Sequence, residues 1–188
     1  MFRKLKYILL SSVILFVGVQ NASSQRVAVK TNALMIAAGT PNAGCEFVVG
    51  DRSSMDISVF GNYKPYGTDI KMIGIQPEYR FWFNGRPMVR EYLGIAALGV
   101  NYDITWKKNI YKGDAAGIGI TMGYSILLGK HCNVEFYGGF GAIYFQQKQY
   151  YISDNFKDYT TNGLGRANAH GYKLLPIKLG VSFSYIIK

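Results

Sequence analysis

The chain has 188 residues, of which 49% are hydrophobic, 15% aromatic and only 17% charged, and its 21 Lys and Arg against 11 acids leave a formal charge of +10. That length holds one domain with at most a short appendage, and the apolar and aromatic content excludes disorder. A mean hydropathy of +0.05 excludes a helical membrane bundle but not a strand-built one, whose alternating faces average near zero.

Residues 1–24 are expected to be a secretory signal peptide, leaving 25–188 as the mature domain. Arg3, Lys4 and Lys6 form a basic start, Tyr7–Val19 an apolar run of 13 residues, and Ala22-Ser23-Ser24 offers small residues for cleavage before Gln25. The run is short of the ~20 residues of a retained helical anchor. No Cys follows it to direct lipoprotein processing. Cleavage takes away those three cations and no acid, so +10 becomes +7.

Period-two alternation, the mark of strands, then recurs in eight segments. Val27–Ala38 sets Val27, Val29, Ala33 and Met35 against Lys30 and Asn32; Asn42–Val49 sets Cys45 and Phe47 against Gly44 and Glu46. Met55–Lys64 opposes Met55, Ile57 and Val59 to Asp56 and Ser58; Met72–Phe83 opposes Ile73, Ile75, Tyr79 and Phe81 to Gln76, Glu78 and Arg80. The phase of Val89–Tyr102 is left open by its composition. Ala115–Leu128 contrasts Ile118, Ile120 and Met122 with Gly117, Gly119 and Thr121, and Asn133–Phe145 contrasts Val134, Phe136 and Phe140 with Asn133, Glu135 and Gly139. In Lys173–Ile187, Leu175, Ile177, Leu179, Val181, Phe183 and Tyr185 form one apolar face opposite Lys178, Gly180, Ser182 and Ser184.

An even count of segments near the ~9–11 residues of a tilted membrane strand fits an outer-membrane barrel. Tight turns are expected after the second, fourth and sixth segments (Gly50-Asp51-Arg52, Asn84-Gly85-Arg86, Gly129-Lys130-His131), and longer outer connections after the third, fifth and seventh. A soluble barrel would keep its large apolar face inside. Here the smaller, more polar face carries Lys30, Glu46, Asp56, Glu78, Arg80, Glu135 and Lys178, whose burial without partners would cost several kcal/mol per ion. The fold class is therefore all-β: an eight-stranded antiparallel up-and-down transmembrane barrel, with these seven residues as a lumen ion-pair network.

The remaining candidates are read from residue type and place. Lys178, Gly180, Phe183 and Tyr185 follow the polar-x-Gly-x-x-aromatic-x-aromatic pattern, which resembles the carboxy-terminal signal read by the barrel-assembly machinery. Trp106, Lys107, Lys108, Tyr111 and Lys112, with Lys64, Lys71, Lys148, Lys157, Tyr159, Arg166 and Lys173, fall in or beside the expected outer loops. On a soluble protein such residues would suggest nucleic acid. At an outer leaflet they fit aromatic belts and anionic headgroups, so the expected partners are outer-membrane lipid and lipopolysaccharide, not nucleic acid. Gly117-x-Gly119-x-x-x-Gly123 and Gly163-x-Gly165 open no helix after a strand and are not phosphate loops. Cys45 and Cys132 form no ligand or redox motif, and His131 and His170 belong to different connections. No catalytic, metal or cofactor site is expected.

The stretches Val29–Leu34, Thr40–Gly44, Gln76–Trp82 and Leu128–Glu135 resemble a family of small Gram-negative outer-membrane barrels catalogued as a domain of unknown function. Its members are often encoded beside fimbrial or other surface-assembly genes. The chain departs from that family at Ile36, where an acid is common, and at Cys132, where an aromatic often stands. The resemblance implies an outer-membrane location, partnership with fimbrial or other surface proteins, and no enzyme activity. The expected role is a structural or accessory surface barrel. A narrow pore for ions or small solutes and a soluble periplasmic lipid-binding barrel are the alternatives.

Overall fold

The computed structural model describes residues 26–154 and 169–187. The expected signal peptide, together with Lys157, Tyr159, Gly163, Gly165 and Arg166, lies outside the described residues.

Eight strands follow one another: β1 (Val27–Asn32), β2 (Asn42–Gly50), β3 (Ser53–Tyr63), β4 (Ile70–Trp82), β5 (Arg90–Trp106), β6 (Asn109–Leu127), β7 (Cys132–Tyr151) and β8 (Ala169–Ile187). Each pairs antiparallel with its neighbour in sequence, and β1 also pairs with β8 from Val27↔Ile187 to Asn32↔Ser182. The sheet thus closes into a ring and leaves no unpaired edge. Both termini of the ring, with the connections at 51–52, 83–89 and 128–131, lie at one end, called here the inner end. The connections at 33–41, 64–69 and 107–108, with residues 152–154 after β7, lie at the outer end. No helix among the described residues is long and apolar enough to cross a membrane.

The alternation of the sequence sets the two faces. Lys30, Glu46, Asp56, Glu78, Arg80, Thr121 and Glu135 are buried inside, whereas Val59, Ile73, Ile95, Ile118, Ile120 and Phe140 are exposed outside. The phase of β5 is now fixed: Tyr92, Gly94 and Ala96 face inward, and Leu93 and Ile95 outward.

Four expectations need correction. The first segment is not a strand throughout: β1 stops at Asn32, whose side chain accepts hydrogen bonds from the Leu34 and Met35 main-chain N–H groups and caps a short helix α1 (Ala33–Ala37). An Asn that satisfies such orphan donors ends a strand as readily as it starts a helix. The connection after the fifth strand is not long. β5 and β6 run on to a two-residue turn, Lys107-Lys108, with φ of 47° and 69°. That is the primed-turn conformation, rare for lysine and so invisible in residue type. The connection after the fourth strand is not tight: it runs from 83 to 89 and tucks Met88 into the inner end.

The last correction concerns β8. Gly139 faces Lys178 but Phe140 faces Pro176, so Ile177 is an extra residue in that strand. This bulge turns Ile177 inward together with Lys178, both buried, and brings Leu175 to the inner side as well, whereas strict alternation places Ile177 and Leu175 on the outer face. A proline beside an interrupted ladder loses no bond it would otherwise make. The Ile177 carbonyl accepts from Gln76 Nε2 at 2.7 Å, across the interior.

Candidate functional site

The centre of the ring is a layer of charge. Register puts Glu46, Asp56 and Glu78 opposite one another on β2, β3 and β4. Like charges on adjacent strands repel, so this row requires cations. Arg80, one inward position along β4, supplies a guanidinium that reaches all three and Glu135 as well. Its Nη1 lies 2.9 Å from Glu46 Oε2 and 3.1 Å from Glu135 Oε2, and its Nη2 2.8 Å from both Asp56 Oδ2 and Glu78 Oε2. Lys30 donates to both Glu135 oxygens, at 2.9 and 2.8 Å, and also pairs with Glu46. Lys178 lies 2.7 Å from Asp56 Oδ2 and 2.7 Å from Glu78 Oε2.

The structure therefore brings together all seven residues of the expected network: three cations and four carboxylates, each almost wholly buried. Hydroxyls complete the shell, Ser54 donating to Glu46 Oε1 and Thr121 to Glu78 Oε1. Burying ions costs several kcal/mol each and is offset only where pairing and hydrogen bonds are this dense. Asp56 Oδ1 is the one oxygen of the four carboxylates without a hydrogen-bond partner among the described residues.

Below this layer, an aromatic floor faces the inner end. Trp82 Nε1 donates to Ser54 Oγ at 2.7 Å, the Trp82 and Tyr92 rings lie 4.8 Å apart, and the Arg80 guanidinium sits 4.5 Å over the Tyr92 ring. A Cβ at Gly123 would come within 2.6 Å of that ring, so only glycine leaves Tyr92 its place. The Met88 carbonyl accepts from Asn133 Nδ2 at 2.7 Å and Ser125 Oγ at 3.0 Å, which ties the connection across the opening. Sequence reasoning missed this floor. Trp82 was legible by phase, two positions beyond Arg80, but nothing local marks Met88 as buried.

The four expected assembly-signal residues divide by face. Lys178 and Gly180 point inward, Phe183 and Tyr185 outward. Gly180 leaves space for a neighbour, since a Cβ there would lie 2.2 Å from Asn32 Nδ2, which instead donates to the Leu179 carbonyl at 3.0 Å. One asparagine thus caps α1 and locks β1 to β8, and the glycine makes room for it.

The expected basic and aromatic surface is a hairpin rather than a loop. Lys107 and Lys108 form its tip, and Lys112 faces outward 3.2 Å from Asp103. Trp106 and Tyr111 line the concave inner side. Lys71 lies within β4, its ammonium 4.9 Å over the Tyr63 ring. His131 and His170 are at opposite ends of the ring.

Chemically, the charged groups of the interior neutralise one another. Each cation is held between carboxylates, and the Ser54 and Thr121 hydroxyls are spent on Glu46 and Glu78. The arrangement suits rigid closure of the interior.

Comparison with curated proteins and with solved structures gives no match. A family profile described as a protein of unknown function, DUF3575, matches residues 9–187. With nearly the whole chain covered, the protein belongs to the DUF3575 family.

Proposed function

We propose that this chain is an integral barrel of a Gram-negative outer membrane, a non-enzymatic structural or accessory protein whose outer end meets lipopolysaccharide or surface fibres. The observation that carries the reading is the belt of exposed apolar side chains around the ring. It runs through Val29 on β1, Val59 on β3, Ile73 and Tyr79 on β4, Ile95 on β5, Ile118 to Ile126 on β6, Phe140 on β7 and Leu179 to Ile187 on β8. A protein in water rarely exposes an apolar patch beyond a few hundred Å². Lipid is the solvent in which apolar outside and ionic inside is the favourable arrangement.

The height of the belt agrees. On β6 the outward apolar residues run from Ala116 to Ile126, and beyond them Asp114, paired with Asn101 and Gln146, begins a polar zone. Ten steps of ~3.4 Å, tilted by ~40°, span about 26 Å, close to the ~25 Å apolar band of such barrels. The next outward row, Lys71–Asp103–Lys112–Lys148 on four adjacent strands, would stand at headgroup level.

An open pore gains no support, because Arg80 and its partners occupy the centre and Trp82, Tyr92 and Met88 close the inner end. The test is fractionation followed by electrophoresis with and without heating. We expect recovery in the outer-membrane fraction and a heat-dependent shift in migration. Recovery in the soluble periplasm with no shift would overturn the assignment.

A further inference from the structure

Strands β5 to β8 run for 17, 19, 20 and 19 residues, whereas β1 to β4 run for 6, 9, 11 and 13. Half of the ring therefore continues past the other half at the outer end, as a curved wall with a hollow inner face. That face is not polar, as a solvated wall would be. Leu98, Val100, Ile143, Phe145 and Leu175, with Lys173 among them, line a cleft of about 440 Å³. Its floor is the apolar layer of Ala96, Ile143 and Ile177 that covers the ion-pair cluster. The bulge in β8 is what delivers Ile177 to this layer.

We propose that this cleft binds a single hydrocarbon chain carrying one anionic head, a ligand of the fatty-acid class. The volume falls within the range of small-ligand sites, and an eight-stranded ring is wide enough to hold one small ligand. The walls are aliphatic and aromatic, and the Tyr102 hydroxyl is already spent on Gln147 Oε1 at 2.7 Å. Among the described residues, Lys173 is the one charged side chain lining the cleft, and it makes no ion pair. Its ammonium lies 5.1 Å over the Phe145 ring. The acids nearest in sequence register, Asp103 and Asp114, point to the opposite face of the sheet, where they meet Lys112 and Asn101. An apolar hollow with one cation on its β8 wall, unpaired among the described residues, is complementary to a hydrocarbon tail with one negative charge.

The experiment uses the full mature chain exchanged into amphipol, with cis-parinarate as fluorescent probe and dodecanoate as competitor. We expect saturable binding of one probe per chain, displaced by dodecanoate. Val100→Trp, which fills the cleft, should abolish binding, and Lys173→Glu should weaken dodecanoate about five- to tenfold while leaving dodecanol unchanged. Both variants should keep the heat-dependent gel shift of the parent, which separates lost binding from lost fold. Absence of saturable binding, or binding that survives both substitutions, would overturn the proposal. The proposal rests on the membrane reading only for the surroundings of the cleft. Specific binding by a protein recovered in the soluble fraction would uphold the cleft and overturn the membrane assignment.

Discussion

Arg80 is the residue whose removal tests most directly how the interior is held. Its guanidinium touches four carboxylates at 2.8 to 3.1 Å, and all of them are buried. Arg80→Met keeps much of the volume and deletes the charge. Two lysines then face four carboxylates, as two separate sets: Lys30 between Glu46 and Glu135, and Lys178 between Asp56 and Glu78. Breaking a buried pair by removing one partner costs about 3–5 kcal/mol, or roughly a hundred- to several-thousandfold in the folded-to-unfolded ratio.

The same geometry specifies a rescue. Adding Glu46→Gln and Asp56→Asn to Arg80→Met leaves two one-to-one pairs, Lys30 with both oxygens of Glu135 and Lys178 with Glu78 at 2.7 Å. That triple variant should recover most of the loss, because each remaining ion again has one partner. Urea titration of detergent-folded protein, read by the unheated gel band, measures both steps. A loss below about 1 kcal/mol for the single variant, in the range of exposed pairs, would refute the reasoning. So would a triple variant no more stable than the single one.

Gly123→Val should push Tyr92 from the floor and cost about 1–3 kcal/mol by overpacking in the same titration. In a background lacking both native cysteines, Val29→Cys with Tyr185→Cys should form a disulfide, since these residues face each other across the β1–β8 seam; an open sheet would leave them reduced. The native pair should stay reduced. Cys45 and Cys132 share a row through Val29 and Tyr185, but three strand spacings of ~4.8 Å hold them roughly 14 Å apart, beyond the ~7 Å Cα limit. At the outer end, hydrogen bonding and then charge from Lys64, 2.8 Å away, hold the Asp69 carboxyl below the usual carboxylate range and raise the Lys64 ammonium. The small stabilisation from Asp69 is therefore present above the unfolded-state value and lost as pH falls through the lower folded one; an NMR titration in which Lys64→Gln leaves the Asp69 midpoint unmoved would contradict the pairing.

The two faces of the ring were legible because alternation is a direct record of solvent on each side. Ile118, Ile120 and Met122 against Gly119 and Thr121 need no partner strand to be interpreted, and the phase of each charged residue put it inside before any pairing was known. Three things were not written locally. The β8 bulge preserves a perfect alternation from Leu175 to Tyr185 in sequence, so Ile177 reads as outward until Gly139 and Phe140 give the register. The Lys107-Lys108 turn uses a conformation lysine seldom adopts, and it falls where polarity suggested a loop. The end of β1 depends on what Asn32 does with its side chain, and that is decided jointly by α1, Leu179 and the space at Gly180. In each case the missing information belonged to a neighbouring strand.

The imbalance of the central cluster, three cations to four carboxylates, gives the interior an electrical direction. One surplus negative formal charge lies beneath the apolar floor, and Lys173 stands on the β8 wall beside Ile143 and Phe145. An anionic group would be repelled from the layer over the carboxylates and drawn to the Lys173 ammonium on the β8 wall, so a guest comes to rest with its head on that side. A chain bearing a carboxylate at both ends finds one cation among the described lining residues, so a diacid of matched length should bind this cleft less tightly than the monoacid.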